Sequence, residues 1–262
     1  METFQNETVL DRLKNIGRPD TPWPDYPSQH KLTPQNIPEL IQIAVDEHTW
    51  EEDGEDPAIY RNIHAYRALG QLHAAEALPA LIEIFRWVDE YNDDWTAEDL
   101  PEAIGLIGPA AVPLLSDYIA NNEHGLWARA AAVASLTEIT KTFPEAAPDS
   151  AAALTRTLSR YEENDPKINA ELIYGLAELR QPETYTLVEQ AYRAKRVDLS
   201  MYNDWEDFQV QVGLLEKRTK DEWGLPIQQA QPMKRLTNST AKKEKAKRKQ
   251  EKQSRQKNRK KK

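Results

Sequence analysis

Tryptophans set among carboxylates are the residues of this sequence whose types and spacing best suit binding chemistry. Such sets occur at residues 48–53, 93–99 and 203–207, each beside a segment with helical periodicity. The candidate binding residues are Trp50, Trp95, Glu98, Asp99, Asp204, Trp205 and Asp207. Aligned along one edge of a repeat array, they would bind a basic, partly apolar peptide through charge pairing and cation–π contacts.

The same residues have a second, purely structural interpretation. Asp and Glu at the start of a helix cap free amides and suit the helix dipole. Tryptophan side chains also fill grooves between packed helices. Residues 125–127 place Trp127 at the matching position of a middle repeat without the acids, so the pattern alone leaves both interpretations open.

Metal binding and nucleophilic catalysis have little support in the sequence. Glu98 and Glu102 share a helical face, but no second ligand motif completes a site for a hard cation. The five histidines show no HExxH spacing, and the chain has no cysteine. The GxSxG, GxxxxGK(S/T) and GxGxxG motifs are also missing. The sequence therefore predicts no metal, no cofactor and no enzymatic activity.

The C-terminal segment, residues 241–262, is a different kind of candidate. It holds 13 Lys and Arg against two acids, a net charge of +11, whereas the other 240 residues carry 21 bases and 41 acids, a net charge of −20. Its basic residues are Lys242, Lys243, Lys245, Lys247, Arg248, Lys249, Lys252, Arg255, Lys257, Arg259, Lys260, Lys261 and Lys262. Because the segment has no apolar side chain larger than alanine, we expect it to be disordered when unbound.

A basic tail of this composition predicts RNA or DNA binding without sequence preference, with ribosomal RNA as one target. Its lysines would neutralise phosphates and release counterions. Base stacking is not available to it, because the tail has no aromatic residue. The alternative is a tail that raises solubility or lies on the acidic remainder of the chain.

Helices are the elements that must position the candidate residues. Between residues 36 and 218 the apolar pattern is helical, and Pro, Gly, Asn and Asp interrupt it every 12 to 20 residues. One helix type recurs at Leu69, Ile104, Leu136, Leu176 and Val212, and a second type alternates with it at Leu81, Leu115, Leu154 and Leu187. Two interleaved helix families with a shared period near 35 predict an all-α solenoid of about five helix pairs.

Four segments follow from this pattern. They are residues 1–35, a short helix and a Pro-rich strap; residues 36–218, the solenoid; residues 219–240, a linker; and residues 241–262, the tail. We expect Trp23 and Tyr26 to fix the strap to the solenoid. The small residues Gly70, Gly105, Gly175 and Gly213 are expected where neighbouring helices approach closely.

Several segments resemble HEAT repeats of the phycobilisome-lyase-like type: ALPAL at 77–81, AIGLIG at 103–108 and WARAAA at 127–132. With DLPE at 99–102 and DWED at 204–207, the longer pattern is similar to a family of uncharacterised bacterial HEAT-repeat proteins. Members of that family often end in a cysteine-rich zinc motif called SEC-C. This chain departs from the pattern, because it has no cysteine and ends in the lysine tail.

The resemblance implies a fold more than a task, since HEAT arrays serve many functions. We expect a cytoplasmic protein-interaction scaffold or adaptor, with a protein partner on the solenoid and the tail on nucleic acid. No stretch approaches the roughly 18 apolar residues of a membrane span, so no membrane contact is expected. The alternatives are a phycobilin-lyase-like enzyme or chaperone subunit, and a purely structural spacer.

The tail hypothesis predicts salt-sensitive RNA binding. A peptide of residues 241–262 should bind RNA more tightly than the full chain, because the acidic remainder competes for the lysines and repels the phosphates. Fluorescence anisotropy with labelled RNAs of unrelated sequence should show affinity that falls steeply with salt and is nearly independent of sequence. A chain ending at residue 240 that binds RNA as well as the full chain would exclude the tail as the tether.

Overall fold

A computed structural model describes residues 7–51, 56–202 and 204–220, without the side chains of residues 50 and 51. The chain divides into two compact units, Met1–Glu216 and Lys217–Lys262. Of the second unit, only residues 217–220 are described. The predicted basic tail and Trp50's side chain therefore lie outside the described part of the chain.

The first unit is all-α, as the sequence pattern predicts. Thirteen α-helices are described: α1 Val9–Lys14, α2 Tyr26–Gln29, α3 Ile37–Ala44, α4 Arg61–Gln71, α5 Leu78–Glu83, α6 Arg86–Glu90, α7 Asp94–Ile107, α8 Val112–Ala120, α9 Leu126–Thr142, α10 Ala147–Leu158, α11 Pro166–Leu179, α12 Tyr185–Arg193 and α13 Trp205–Gln211. No β-strand occurs in residues 7–51, 56–202 and 204–220. Among the same residues no single helix is long and apolar enough to cross a membrane, although the bent pair Asp94–Ile107 and Pro109–Ala120 passes on combined length and composition.

The helices alternate between two families, as predicted, and form five pairs. The outer helices are α3, α5, α8, α10 and α12, and each directly follows a short 3-10 turn. These turns are Pro34–Asn36, Ala75–Ala77, Pro109–Ala111, Pro144–Ala146 and Pro182–Thr184. In four of the five outer helices a proline follows within the first turn, where its missing amide costs nothing. The inner helices are α4, α7, α9, α11 and α13.

Successive pairs stack. Inner helix α7 contacts α4 on one side and α9 on the other, and α9 in turn contacts α11. The outer helices α5, α8, α10 and α12 form a parallel series of contacts. This order is consistent with an α-solenoid, in which each pair buries its apolar face only against its neighbours.

Glycines set the spacing of the inner helices. A Cβ atom at Gly70 would lie 2.9 Å from the Cα of Ala103, and one at Gly105 would lie 2.7 Å from the Cβ of Glu138. Neither position has room for a side chain, because backbone or a Cβ on the next helix fills the space. The predicted close contacts are confirmed at both positions. Gly213 differs, since nothing lies within 4 Å of its missing Cβ and its φ of +82° places it in a left-handed turn.

Four of the five inner-helix anchors are confirmed as core residues. Leu69, Ile104, Leu136 and Leu176 are all fully buried. The fifth was misplaced: Val212 follows the end of α13 and is only partly buried. Phe208, which is fully buried, takes the core position of that short helix.

The Pro-rich strap lies on α4 and is held there by three polar side chains of that helix. His64 Nε2 is 2.7 Å from the carbonyl oxygen of Gly17, and its Nδ1 is 2.7 Å from the Tyr26 hydroxyl. Gln71 donates to the carbonyl of Pro24 and accepts from the Tyr26 amide. Burial lowers the pKa of His64 to about 4. The ring is therefore neutral, with Nε2 donating to the carbonyl and Nδ1 accepting from the hydroxyl.

Arg67 joins the strap to the second helix pair. Its fully buried guanidinium pairs with Asp99 of α7 and donates to the carbonyl of Asp20 at 3.0 Å. The Trp23 ring lies 4.7 Å from the guanidinium carbon. The expectation that Trp23 and Tyr26 fix the strap is therefore confirmed. Burial raises the pKa of Asp99, and the positive charge of Arg67 opposes that rise.

The stacking of inner helices predicts a large loss of stability when an anchor is truncated. Leu136→Ala should lower the free energy of unfolding by about 2–5 kcal/mol, because Leu136 is fully buried between neighbouring helices. Urea denaturation followed by circular dichroism measures the change. The matched control is Leu114→Ala, at a leucine of α8 that is 39% exposed. A loss below about 0.5 kcal/mol for Leu136→Ala would contradict the assigned stacking.

Candidate functional site

A groove crosses the inner helices α7, α9 and α11. Its volume is about 430 Å³. It is lined by Val88, Asn92, Asp94, Ala97, Trp127, Ala130, Ala131, Ala134 and Glu171. We call these nine residues the inner groove. Four alanines leave room for a ligand side chain, while Trp127 and two carboxylates supply the groups that could bind it.

Trp127 is the large apolar side chain of the inner groove. It is 47% exposed, which is unusual for a tryptophan in a packed helical protein. The side chain lies in the first turn of α9, and Ala130, Ala131 and Ala134 follow it on the same helix. An exposed indole beside small residues offers both apolar area and a π face to a ligand.

Asp89 fixes the start of α9 and with it the position of Trp127. Its carboxylate accepts from the Ala128 amide at 2.8 Å and from the Trp127 amide at 3.3 Å. These are free amides of the first turn, so Asp89, at the end of α6, caps a helix to which it does not belong. Gly125 makes this approach possible, because a Cβ there would lie 2.1 Å from Asp89 Oδ2.

Carboxylates dominate the electrostatics of the inner face. Burial raises the pKa of Glu171, which makes no hydrogen bond or ion pair with another described side chain. Burial also raises the pKa of Glu102, as does the negative charge of Glu138 on the next helix. Lys141 pairs with Glu138 at 2.6 Å, and its charge and that of Arg67 lower the pKa of Glu102 and so offset part of this repulsion. A cationic ligand would relieve this repulsion.

The strap and the inner groove lie on equivalent faces of the inner helices. The side chains of α4 that hold the strap have defined offsets from the anchor Leu69. His64 lies five residues before it, Arg67 two residues before it and Gln71 two residues after it. The same offsets in α9 give Ala131, Ala134 and Glu138, and in α11 they give Glu171, Tyr174 and Glu178. Three of these six line the inner groove, and Tyr174 is 45% exposed. The face that the strap covers on α4 thus lines the groove on α9 and at Glu171 of α11, whereas Tyr174 and Glu178 contact Tyr202 and Gln211.

Of the predicted sets whose side chains are described, the first, at residues 93–99, meets the groove at Asp94 and Ala97, and its three candidate binding residues do not line the groove. Trp95 is half-buried at the start of α7, and its ring meets the Tyr60 ring edge-on at 6.2 Å. Glu98 is exposed, one turn after the groove residue Asp94. Asp99 is buried in its ion pair with Arg67, so its carboxylate already holds a partner.

The second predicted set lies at the start of α13. Asp204 and Asp207 form a reciprocal capping box, and the half-buried Trp205 stacks on Phe208 at 5.3 Å. Trp205 comes three residues before the core residue of its helix, whereas Trp95 and Trp127 come nine residues before theirs. Trp205 is therefore out of register with the other two.

Sequence reasoning singled out Trp127 as a matching tryptophan but did not place it in the candidate site, because acids do not flank it in the chain. The carboxylates come instead from α7 and α11. Glu171 and Tyr174 were missed altogether. Their positions relative to an anchor could have revealed them. Glu171 and Tyr174 precede Leu176 by five and two residues, as His64 and Arg67 precede Leu69. In the described part of the chain, no cluster of three or more His, Asp or Glu could hold a metal ion.

Comparison with known proteins identifies the family of this chain. Residues 27–222, from the end of the strap through all five helix pairs, match the family described as protein of unknown function DUF1186. The chain belongs to this family. No curated protein and no solved structure shows a significant match. The description of the DUF1186 family assigns no activity to its members.

Capping of α9 by Asp89 leads to a local prediction. Asp89→Ala should cost about 0.5–2 kcal/mol of stability, because two amides of the first turn lose their acceptor. Hydrogen exchange of the Trp127 and Ala128 amides should accelerate more than exchange at the centre of α9. Asp149→Ala, at an exposed acid in the first turn of α10, is the control. Equal exchange at Trp127 and Ala128 in wild type and Asp89→Ala would show that Asp89 does not fix this helix start.

Proposed function

We propose that this protein is a non-catalytic scaffold that binds an extended, cationic segment of a partner protein along its inner groove. The observation that carries the proposal is the strap, an extended segment already held on the equivalent face of α4. The strap shows how this face binds a chain, and the groove offers the same face uncovered.

The strap is held chiefly through its backbone. The carbonyls of Gly17, Asp20 and Pro24 accept hydrogen bonds from side chains of α4. An extended chain leaves its carbonyls unpaired, so a helix face with donors at suitable offsets can hold it. Tyr26, which is fully buried, adds an apolar anchor next to these polar contacts.

The inner groove replaces those donors with carboxylates and aromatics. Glu171 and Asp94 suit a lysine or arginine head group, and Trp127 suits the aliphatic stem or the cation itself. Tyr174, one turn after Glu171 on α11, extends the apolar surface. The groove therefore favours a segment with a basic residue beside apolar ones, in place of the neutral, proline-rich strap.

Two further parts of the proposal come from the sequence alone. The resemblance to HEAT repeats supports an interaction role, because such arrays bind partners on an inner face. The basic tail, which lies outside the described residues, is proposed to tether the scaffold to nucleic acid through its phosphates. These parts are independent of the groove, and the RNA-binding experiment above tests the tail separately.

The groove leads to a prediction about peptide selection. A displayed library of random linear peptides, selected against the full chain, should enrich sequences with Lys or Arg next to apolar residues. Trp127→Ala and Glu171→Gln should each weaken binding of an enriched peptide by about tenfold, as measured by fluorescence anisotropy. Because burial raises the pKa of Glu171, binding should weaken as the pH falls through that pKa, and Glu171→Gln should lose this dependence.

The controls are matched in chemistry and exposure. Leu199→Ala removes an exposed apolar side chain outside the groove, and Glu145→Gln removes an exposed carboxylate outside it. All four variants keep the same C-terminal tail, so its contribution cancels. Enrichment of acidic peptides, or equal binding to Trp127→Ala and Leu199→Ala, would refute the proposed groove function.

A further inference from the structure

A polar cavity lies at one edge of the stack, between the loop that precedes α9 and the loop that precedes α11. Its volume is about 360 Å³. Ala120, Asn122, His124 and Leu126 line it from the first loop and the start of α9. Arg160, Glu163, Asn164 and Asp165 line it from the second loop, and Arg129 of α9 completes the wall. We call it the edge cavity.

Arg129 is the most unusual residue of the edge cavity. Its side chain is buried, with 6% exposed, and its Nε donates to the carbonyl of Ile119 at 2.8 Å. The two terminal amino groups make no hydrogen bond to any described residue. The terminal nitrogens are not among the buried unpaired atoms of the described residues, so up to four N–H donors are accessible to an acceptor in the edge cavity.

Arg160 brings a second guanidinium to the same cavity. One of its terminal nitrogens donates to the carbonyl of Ala120 at 3.0 Å, which orients the group across the loop. Burial lowers the pKa of Arg129, and the charge of Arg160 lowers it further. Two like charges thus converge on a partly desolvated space, in a chain whose first 240 residues carry a net charge of −20.

The neighbouring acids only partly offset these charges. The charge of Asp165 raises the pKa of Arg129, but its carboxylate also accepts from the Lys167 amide at 2.8 Å and so caps α11. Glu163 is exposed, and its carboxylate makes no hydrogen bond or ion pair with either arginine in the described part of the chain. The start of α9 contributes little, because Asp89 already occupies the amides of Trp127 and Ala128.

We propose that the edge cavity is a binding site for a small oxyanion, either a phosphate group or a carboxylate, held by Arg129 and Arg160. Guanidinium groups bind both kinds of oxyanion through paired N–H donors. A ligand there would use the free donors of Arg129 and separate the two positive charges. The cavity holds roughly ten times the liquid volume of one water, so an anion bearing a small organic group fits.

The inference is independent of the inner groove. The inner groove is acidic and is proposed to take a cation, whereas the edge cavity is basic and takes an anion. The edge cavity draws on the start of α9 and on the loops, and none of the nine inner-groove residues lines it. A failed test at one site therefore leaves the other unaffected.

Thermal unfolding of the full chain with inorganic phosphate tests the proposal, at ionic strength held constant with sodium chloride. Phosphate should raise the Tm of wild type in a saturable way, because a ligand bound to the native state stabilises it. Arg160→Gln should weaken the apparent affinity about tenfold, and Arg129→Lys should weaken it comparably by removing the planar fork. An acetate series distinguishes the two oxyanions: a shift with phosphate alone assigns a phosphate group, and a shift with both assigns oxyanions in general.

Arg156→Gln is the matched control. Arg156 lies one turn before Arg160, is exposed, and pairs with Asp117 outside the edge cavity. Phosphate also stabilises proteins by exclusion from their surface, and the basic tail can bind it, but both effects are equal in Arg156→Gln and Arg160→Gln. Stabilisation that saturates at similar phosphate concentrations in wild type and Arg156→Gln, but at about tenfold higher concentrations in Arg160→Gln, supports the site. Equal responses in these two variants, or no saturable response in wild type, would overturn it. Because Arg160 is exposed, Arg160→Gln should fold, and it tests the site even where Arg129→Lys does not fold.

Discussion

Backbone-close contact between successive inner helices is the constraint on which the rest of this structure depends. A single helix pair cannot cover its own apolar face, so each pair must press against the next. At Gly70 and Gly105 the helices meet where no side chain fits. Beside these contacts, alanines on α9 leave a groove in which one tryptophan remains exposed. The position of that tryptophan depends on a third close contact, between Gly125 and Asp89.

The same face of the inner helices carries different side chains on α4 and on α11. On α4 the face has His64, Arg67 and Gln71, and a segment of the chain satisfies them. On α11 the equivalent positions are Glu171, Tyr174 and Glu178, of which Glu171 lines the inner groove and Tyr174 meets the Tyr202 ring edge-on. Glu178 accepts a hydrogen bond from Gln211, but Glu171 has no such partner. The same geometry therefore supports an internal contact at one end of the stack and a proposed external one in its middle.

Much of the fold could be predicted from the sequence, because its determinants are local and repeated. The period near 35 residues and the interrupting prolines predicted the helix pairs correctly, and four of five inner anchors are core residues. Gly213 was wrong, since no neighbouring helix approaches it. Val212 was wrong because α13 is too short to bury it, and chain spacing alone does not show where a terminal helix ends.

The site was harder to predict, because the groove combines side chains of α7, α9 and α11. Its carboxylates are neighbours of Trp127 only in space, whereas the acids adjacent in sequence to Trp205 serve as caps. The edge cavity had no sequence signal, since Arg129 looked like an ordinary residue of a repeat helix.

The strap also covers the outermost inner helix of the stack, α4. Every residue of α4 from Arg61 to Gly70 is buried, with α1 and α2 packed on the helix in addition to its neighbours α3 and α7. A further helix pair from a second molecule consequently finds no apolar surface on α4 to extend the array. Repeat proteins that lack such a cover can associate end to end, and a head-to-tail contact of that kind grows into an open filament. A contact of that kind through α4 would first have to displace the strap.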